Sequence, residues 1–325
     1  MSFERDLLLI GSVPLTNREE VMSAVAGTLG ERLKRIPDGE TGSRSKFITW
    51  QGAVLEKAEQ FEMRPLGPQS EWGPRGELPP PVAILRPGAQ GTPRFPRTGY
   101  AAAALESYKT FADLKRKGVI HGAATFQVGL PSPLGVIGLF MEPDGQKAAE
   151  APYEDRLVED IRDLCGSIPH SDLTVQWDIP FEVAVWENHR ATYLSNPREQ
   201  VVGKLARVIG MVEADIEVGL HVCYGDVSHH HWKEPDLGLM VQLTNSLMRA
   251  APRRVNYVHI PIPSHWAEPS HYQELSKLKL HDGTRVYLGL IHHTDGVEGA
   301  KRRIVAASRH LQGFGAAASC GRPSR

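Results

Sequence analysis

The chain has only three cysteines among its 325 residues, Cys165, Cys223 and Cys320, too few for a disulfide framework. It has no excess of either charge: the formal net charge is −1, so the basic footprint of a general nucleic-acid or membrane-surface binder is missing. No apolar run is long enough to cross a bilayer, and no N-terminal apolar segment with a cleavage site marks a secreted protein. Nor does a Gly-x-Gly-x-x-Gly follow the first apolar segment, which disfavours a doubly wound dinucleotide-binding sheet. These absences leave a globular, cytoplasmic chain whose 41% hydrophobic content can bury a large core.

What is present is a repeated alternation of strand-like and helical patterns. Residues 7–10 form the first apolar segment, followed by Gly11-Ser12 and a helix that opens at Thr16 or Asn17 with Glu19 and Glu20 in its first turn. Further strands are predicted over 33–37, 123–128, 173–178, 218–223, 255–260, 286–291 and 313–317, with helices over 198–217, 237–251 and 296–311. Eight strands, the later ones each joined by a helix, predict an α/β fold, a single (β/α)8 TIM barrel over residues 1–325. Ser12, Asp38, Glu40, Ser132, Asp178, His221, Cys223, His259, His292, His293 and Cys320 all fall at or just past strand C-terminal ends, the face that carries the chemistry of such barrels.

His221 and Cys223 lie two apart at the end of an apolar run, where strand geometry sends both side chains the same way. That is half of a metal site. A second thiolate from Cys320, at a later strand end, gives the sulfur-rich set that suits zinc, with room for one more ligand or a substrate thiol. Cys165, at the end of a helical pattern, reads as core. Residues 64–99, rich in proline and glycine, interrupt the barrel pattern and read as a lid-like insertion after the second strand. Arg75, Arg86, Arg94 and Arg97 give it a basic bias that hints at an anionic group on the substrate. The tract His229-His230-His231 cannot send three side chains into one site.

With these residues placed, the chain resembles the C-terminal catalytic barrel of cobalamin-independent methionine synthase and its wider superfamily, which includes uroporphyrinogen decarboxylase. It is more closely similar to an uncharacterised group of single-barrel proteins that carry a Gly-Ser-x-Pro turn and a Pro-Asp-Gly-Glu-Thr-Gly segment. In the synthase an Ile-Gly-Ser turn, a Gly-Glu pair and an aspartate closing a Gln-x-Asp-x-Pro strand hold homocysteine. Ile10-Gly11-Ser12, Gly39-Glu40 and Gln176-Trp177-Asp178-Ile179-Pro180 match them. The synthase's zinc is held by a His-x-Cys-Tyr segment and a late Cys-Gly, which correspond to His221-Val222-Cys223-Tyr224 and Cys320-Gly321.

The departures are as informative. The synthase's glutamate ligand is replaced by His259, giving a His2Cys2 set, and its seventh-strand histidine, a proton donor, has only an approximate counterpart in His292 or His293. Its Asp-Glu-Pro becomes Asp178-Ile179-Pro180, and Gly129-Leu130-Pro131-Ser132-Pro133 stands in place of the folate-stacking segment. The chain stops at Arg325, where relatives continue into a closing helix, so the final helix is expected to be truncated. The resemblance therefore implies a zinc-dependent methyl- or alkyltransferase acting on a small thiol or amino-acid-like substrate without folate. Asp178 and Glu40 would anchor a substrate ammonium in the same cavity as the metal. A carbon–sulfur lyase, a metal-dependent hydrolase, and a metal-free decarboxylase-like or non-catalytic binding barrel stay open as alternatives, although no Arg-Gln-Ala-Gly-Arg-like segment supports the decarboxylase.

Overall fold

The computed structural model describes residues 6–45, 47–65, 81–224, 226–227, 230–231 and 234–319. Eight parallel strands form one sheet: β1 (Leu7–Leu8), β2 (Arg35–Pro37), β3 (Thr125–Pro131), β4 (Leu173–Asp178), β5 (Glu217–His221), β6 (Tyr257–Pro261), β7 (Arg285–Ile291) and β8 (Gly315–Ala318). Their order, β1-β8-β7-β6-β5-β4-β3-β2, is that of an unrolled barrel. Parallel bridges from Leu7 to Leu33 and from Ser12 to Gly39 bring its two edges together, so the sheet is a nearly closed, TIM-like barrel.

Helices cover the outside. The longer ones are α1 (Arg18–Leu29), α2 (Tyr100–Arg116), α3 (Pro133–Phe140), α4 (Pro143–Ser167), α5 (Pro180–Trp186), α6 (Pro197–Gly210), α7 (Leu237–Ala250) and α8 (Gly296–Ala307), with a single helical turn at Gly52–Leu55 and a 3-10 stretch Pro269–Lys277 after β6. The start of α1 follows its sequence signal: the Asn17 side chain accepts from the Glu20 N–H at 3.0 Å. Every residue of β4 is buried, as expected of a parallel strand covered on both faces. Cys165 is buried on α4, in keeping with a core role.

The barrel interior explains how polar residues are led up to the C-terminal face. Its lower layer is an ion-paired plug: Arg35 on β2 reaches Glu217 on β5 through Nε (2.9 Å) and Nη2 (3.0 Å) and lies 4.4 Å over the Tyr257 ring. Tyr257 and Tyr287 fit inside only because neighbouring strands supply glycine. A Cβ at Gly219 would sit 2.0 Å from the Tyr257 ring, and one at Gly315 would sit 2.5 Å from the Tyr287 ring. Above them Gln127 and Gln176 cross the interior and donate to the carbonyls of Leu9 and Ile10.

The segment between β2 and α2 is partly described. Phe61–Arg64 pairs antiparallel with Val82–Leu85, and Phe61 and Phe95 stack near Tyr153 of α4. Arg97 is spent on Glu159, Asp160 and Asp163 of α4, and Arg86 on Glu62 and the Glu59 carbonyl. The expected anionic-substrate role therefore does not hold for these two arginines, because helix and hairpin acids already neutralise them. Arg75, His229 and Cys320 lie outside the described residues.

Candidate functional site

At the end of β1 the chain turns through Ile10-Gly11-Ser12 directly against the end of β2. Glu40 follows Gly39 there with a left-handed backbone, φ +52°, which a glutamate adopts only at a cost of about 1–2 kcal/mol. Asp38 holds it: one Asp38 oxygen accepts the Glu40 N–H at 2.9 Å, and the other takes Arg44 at 2.5 Å and the Ser107 hydroxyl of α2 at 2.7 Å. The Ser12 hydroxyl donates to Glu40, and Gly11 leaves room for that carboxylate, since a Cβ there would lie 3.3 Å from it.

Asp178 closes β4 on the same side. Gln176 donates to its Oδ1 at 2.9 Å, while Tyr257 donates to the Gln176 oxygen at 3.0 Å, so the carboxylate rests on the interior polar layer. Gly129 of β3 opens the space between the two acids. A Cβ at that position would be 3.2 Å from Asp178 Oδ2 and 3.7 Å from Glu40 Oε1. Burial drives both acids toward the neutral form. Asp178 is pushed up to about 8, with the Glu40 charge adding and His221 opposing, and Glu40 to about 7, with the Ser12 hydrogen bond opposing and Asp38 adding.

His221 ends β5 and His259 lies opposite it on β6. Their Nδ1 atoms are 2.7 Å apart, and the rings are 4.7 Å between centroids. His259 Nε2 faces the Ala318 carbonyl at 3.0 Å, and a carbonyl only accepts, so Nε2 carries the proton and Nδ1 its lone pair. Burial and the neighbouring His221 hold His259 well below the ordinary histidine range. Burial also opposes protonation of His221, but Cys223, Asp178 and Glu40 outweigh it and raise that ring.

Cys223 is hydrogen-bonded to the His221 side chain, although not by the strand alternation that the sequence suggests. β5 stops at His221, and the Cys223 N–H turns back onto the His221 carbonyl at 3.0 Å. A tight turn, not the pleat, keeps the thiol beside the ring. The structure thus brings Ser12, Glu40, Asp178, His221, Cys223 and His259 together. His292 is tied through Nε2 to the Ile262 carbonyl at 2.8 Å, and His293 is exposed.

The donor set suits a borderline-soft cation. Tetrahedral bonds of about 2.0–2.1 Å would set two imidazole nitrogens roughly 3.3 Å apart, so a metal between the 2.7 Å pair needs a small parting of the rings and loss of the proton that His221 Nδ1 donates to His259. His259 points its lone pair at His221, and the Ala318 carbonyl fixes the ring through Nε2, as hydrogen-bond partners fix histidines that bind metals. Another His and acid group, His170 with Glu213 and Asp215, sits on the loops before β4 and β5, at the opposite end. It is partly exposed, and both ring nitrogens are engaged, with Asp215 and the Cys165 carbonyl.

Sequence reasoning passed over several contributors. Gln176 is visible only as part of a motif, and Gly129, Tyr257 and Arg44 acquire a role only from long-range contacts. Glu182, four residues past Asp178, is a further buried acid: Ser132 caps α3 and donates to it, and burial pushes it up to about 7.

Neither the protein-family models nor the curated proteins include a match to this chain. Among solved structures, a B12-independent methionine synthase from Shewanella sp. W3-18-1, in complex with selenomethionine, is similar with a TM-score of 0.61 at 14% identity, covering 94% of this chain and 80% of that one. A protein of Listeria monocytogenes assigned as a vitamin-B12-independent methionine synthase is similar with a TM-score of 0.52 at 14% identity, over 94% and 79% of the two chains. At that identity the likeness is one of fold.

Proposed function

We propose that the protein is a metal-dependent transferase that moves a methyl or alkyl group to the sulfur of a small, amino-group-bearing thiol without using folate. The observation that carries this reading is the meeting of an acid pair, Glu40 and Asp178, with His221, Cys223 and His259 at one end of the barrel. His221, Cys223 and His259 would hold the metal, with Cys320 as a fourth donor. Zinc in such a set lowers the pKa of an incoming thiol, so that thiolate is present at neutral pH.

The chain's own residues do the rest. Burial raises the Glu40 and Asp178 carboxyls, so they release protons as a substrate ammonium arrives and thereafter anchor it. Ser12 and Gln176 aim the two carboxylates, and the Ala318 carbonyl keeps the His259 ring in one tautomer. His292 is the candidate to return a proton at the rim, and His293 the weaker one because of its exposure. Run in reverse, the same arrangement serves a carbon–sulfur lyase.

A second reading is favoured by one feature, the chain Cys223 to His221 to His259, which has the order of a nucleophile, its base and the base's orienting group. Titrating L-homocysteine against the cobalt-substituted protein separates the two. A new sulfur-to-metal charge-transfer band supports thiol activation. An unchanged cobalt spectrum, together with chelator-resistant inactivation by iodoacetamide at Cys223, moves the function to the metal-free nucleophile.

A further inference from the structure

In the helical layer outside the barrel, the end of α5 and one face each of α6 and α7 frame a cavity of about 340 Å3, a size that suits a small molecule. Trp186, the last residue of α5, is its buried wall: it is 6% exposed, and its indole Nε1 has no hydrogen-bond partner. Val202 of α6 and Ala250 of α7 extend the apolar lining. A buried N–H left without a partner is uncommon in folded proteins, and in a cavity wall it points to an acceptor brought by a ligand.

Two guanidiniums share the same cavity. Arg198 is held against the wall, since its Nε donates to the Trp186 carbonyl at 3.1 Å and its guanidinium carbon lies 5.2 Å from the Trp186 ring centroid. Arg249 is held from the other helix: its Nη2 donates to the Ser246 hydroxyl at 3.0 Å, and that hydroxyl donates in turn to the Gln242 carbonyl at 2.9 Å. These contacts orient both cations without neutralising them. The one acid in the lining, Glu199, accepts from the Asn196 amide at 2.5 Å, and among the described residues neither Arg198 nor Arg249 is ion-paired. Arg18, Arg156 and Arg207, on other helix faces, each meet a glutamate instead.

We propose that this cavity is a second binding site, for a small aryl or heteroaryl phosphate. The phosphate takes the N–H groups that Arg198 and Arg249 do not spend on the protein, and the ring lies against Trp186, Val202 and Ala250. The fork of one guanidinium satisfies a carboxylate, whereas a phosphate dianion has acceptors enough for two. The site is independent of the chemistry proposed at the strand ends.

Ligand-observed NMR titrations of the full chain with phenyl phosphate, benzoate and inorganic phosphate test it. Phenyl phosphate is expected to bind with a dissociation constant of about 1 mM or below. Benzoate, with less charge, and inorganic phosphate, with no ring, should each bind roughly tenfold more weakly. Arg198→Gln and Arg249→Gln, both on the exposed side of their helices, should each weaken phenyl phosphate by about tenfold and leave the ligand-free melting temperature unchanged. No binding of phenyl phosphate overturns the site, and so does binding that survives both substitutions, which would place the ligand elsewhere on the protein. Benzoate binding as tightly as phenyl phosphate overturns the phosphate assignment, and inorganic phosphate binding as tightly overturns the role of the apolar wall.

Discussion

The residues with the most to say about pH are Asp178 and Glu40. Their carboxyls are raised to about 8 and about 7, chiefly by burial, so the folded ligand-free protein holds protons that the unfolded chain has released. Stability is therefore full below pH 4 as far as these two groups are concerned, and it is lost as pH rises toward 8. Each pKa unit is worth about 1.4 kcal/mol, so the loss is on the order of several kcal/mol. Asp178→Asn should flatten that decline, which denaturant midpoints measured from pH 5 to pH 8 will show. Ligand binding has the opposite slope: an ammonium needs ionised partners, so affinity for an amino thiol should rise from pH 6 to pH 8 with proton release. In Asp178→Asn the upper part of that rise should disappear. A midpoint independent of pH in the unaltered protein contradicts the buried-acid account.

At the scale of elements, the sequence was legible wherever local pattern and burial agree. β4 was read to the residue because both of its faces are apolar neighbours' territory and Pro180 ends it. β1 came out shorter than residues 7–10, since the Ile10 carbonyl is taken by Gln127 and Gln176 side chains and not by a ladder. The helix read over 198–217 stops at Gly210, which packs where a Cβ would meet Pro252 at 2.7 Å. Such contacts between residues distant in sequence leave no mark on periodicity. The same applies to the site: Asp178, Glu40 and His221 announced themselves by type and strand-end position, whereas Gly129 and Tyr257 did not. The interior packing gives a sharp prediction. Gly219→Ala drives a methyl into the Tyr257 ring and should cost about 3 kcal/mol or prevent folding. Gly27→Ala, in open space on α1, should be neutral or stabilising by about 0.5–1 kcal/mol. Equal effects in chemical denaturation would show that the tyrosines do not fill the barrel as described.

For the whole molecule, the barrel divides into an ion-paired base around Arg35 and Glu217, a middle layer of glutamine and tyrosine, and an upper end where acids, imidazoles and a thiol gather. Four strand ends, those of β2, β4, β5 and β6, carry those groups from separate parts of the sequence to one end of the barrel, which is how a chain with scattered motifs acquires a site. The proposed transferase requires a metal at this upper end, and metal content is the decisive measurement. Protein purified without chelator should contain about one equivalent of zinc, and Cys223→Ser or His259→Ala should lose most of it, because ligand binding and ligand loss are coupled at such sites. Less than about a tenth of an equivalent of any transition metal in the unaltered protein, unchanged in Cys223→Ser, contradicts the claim.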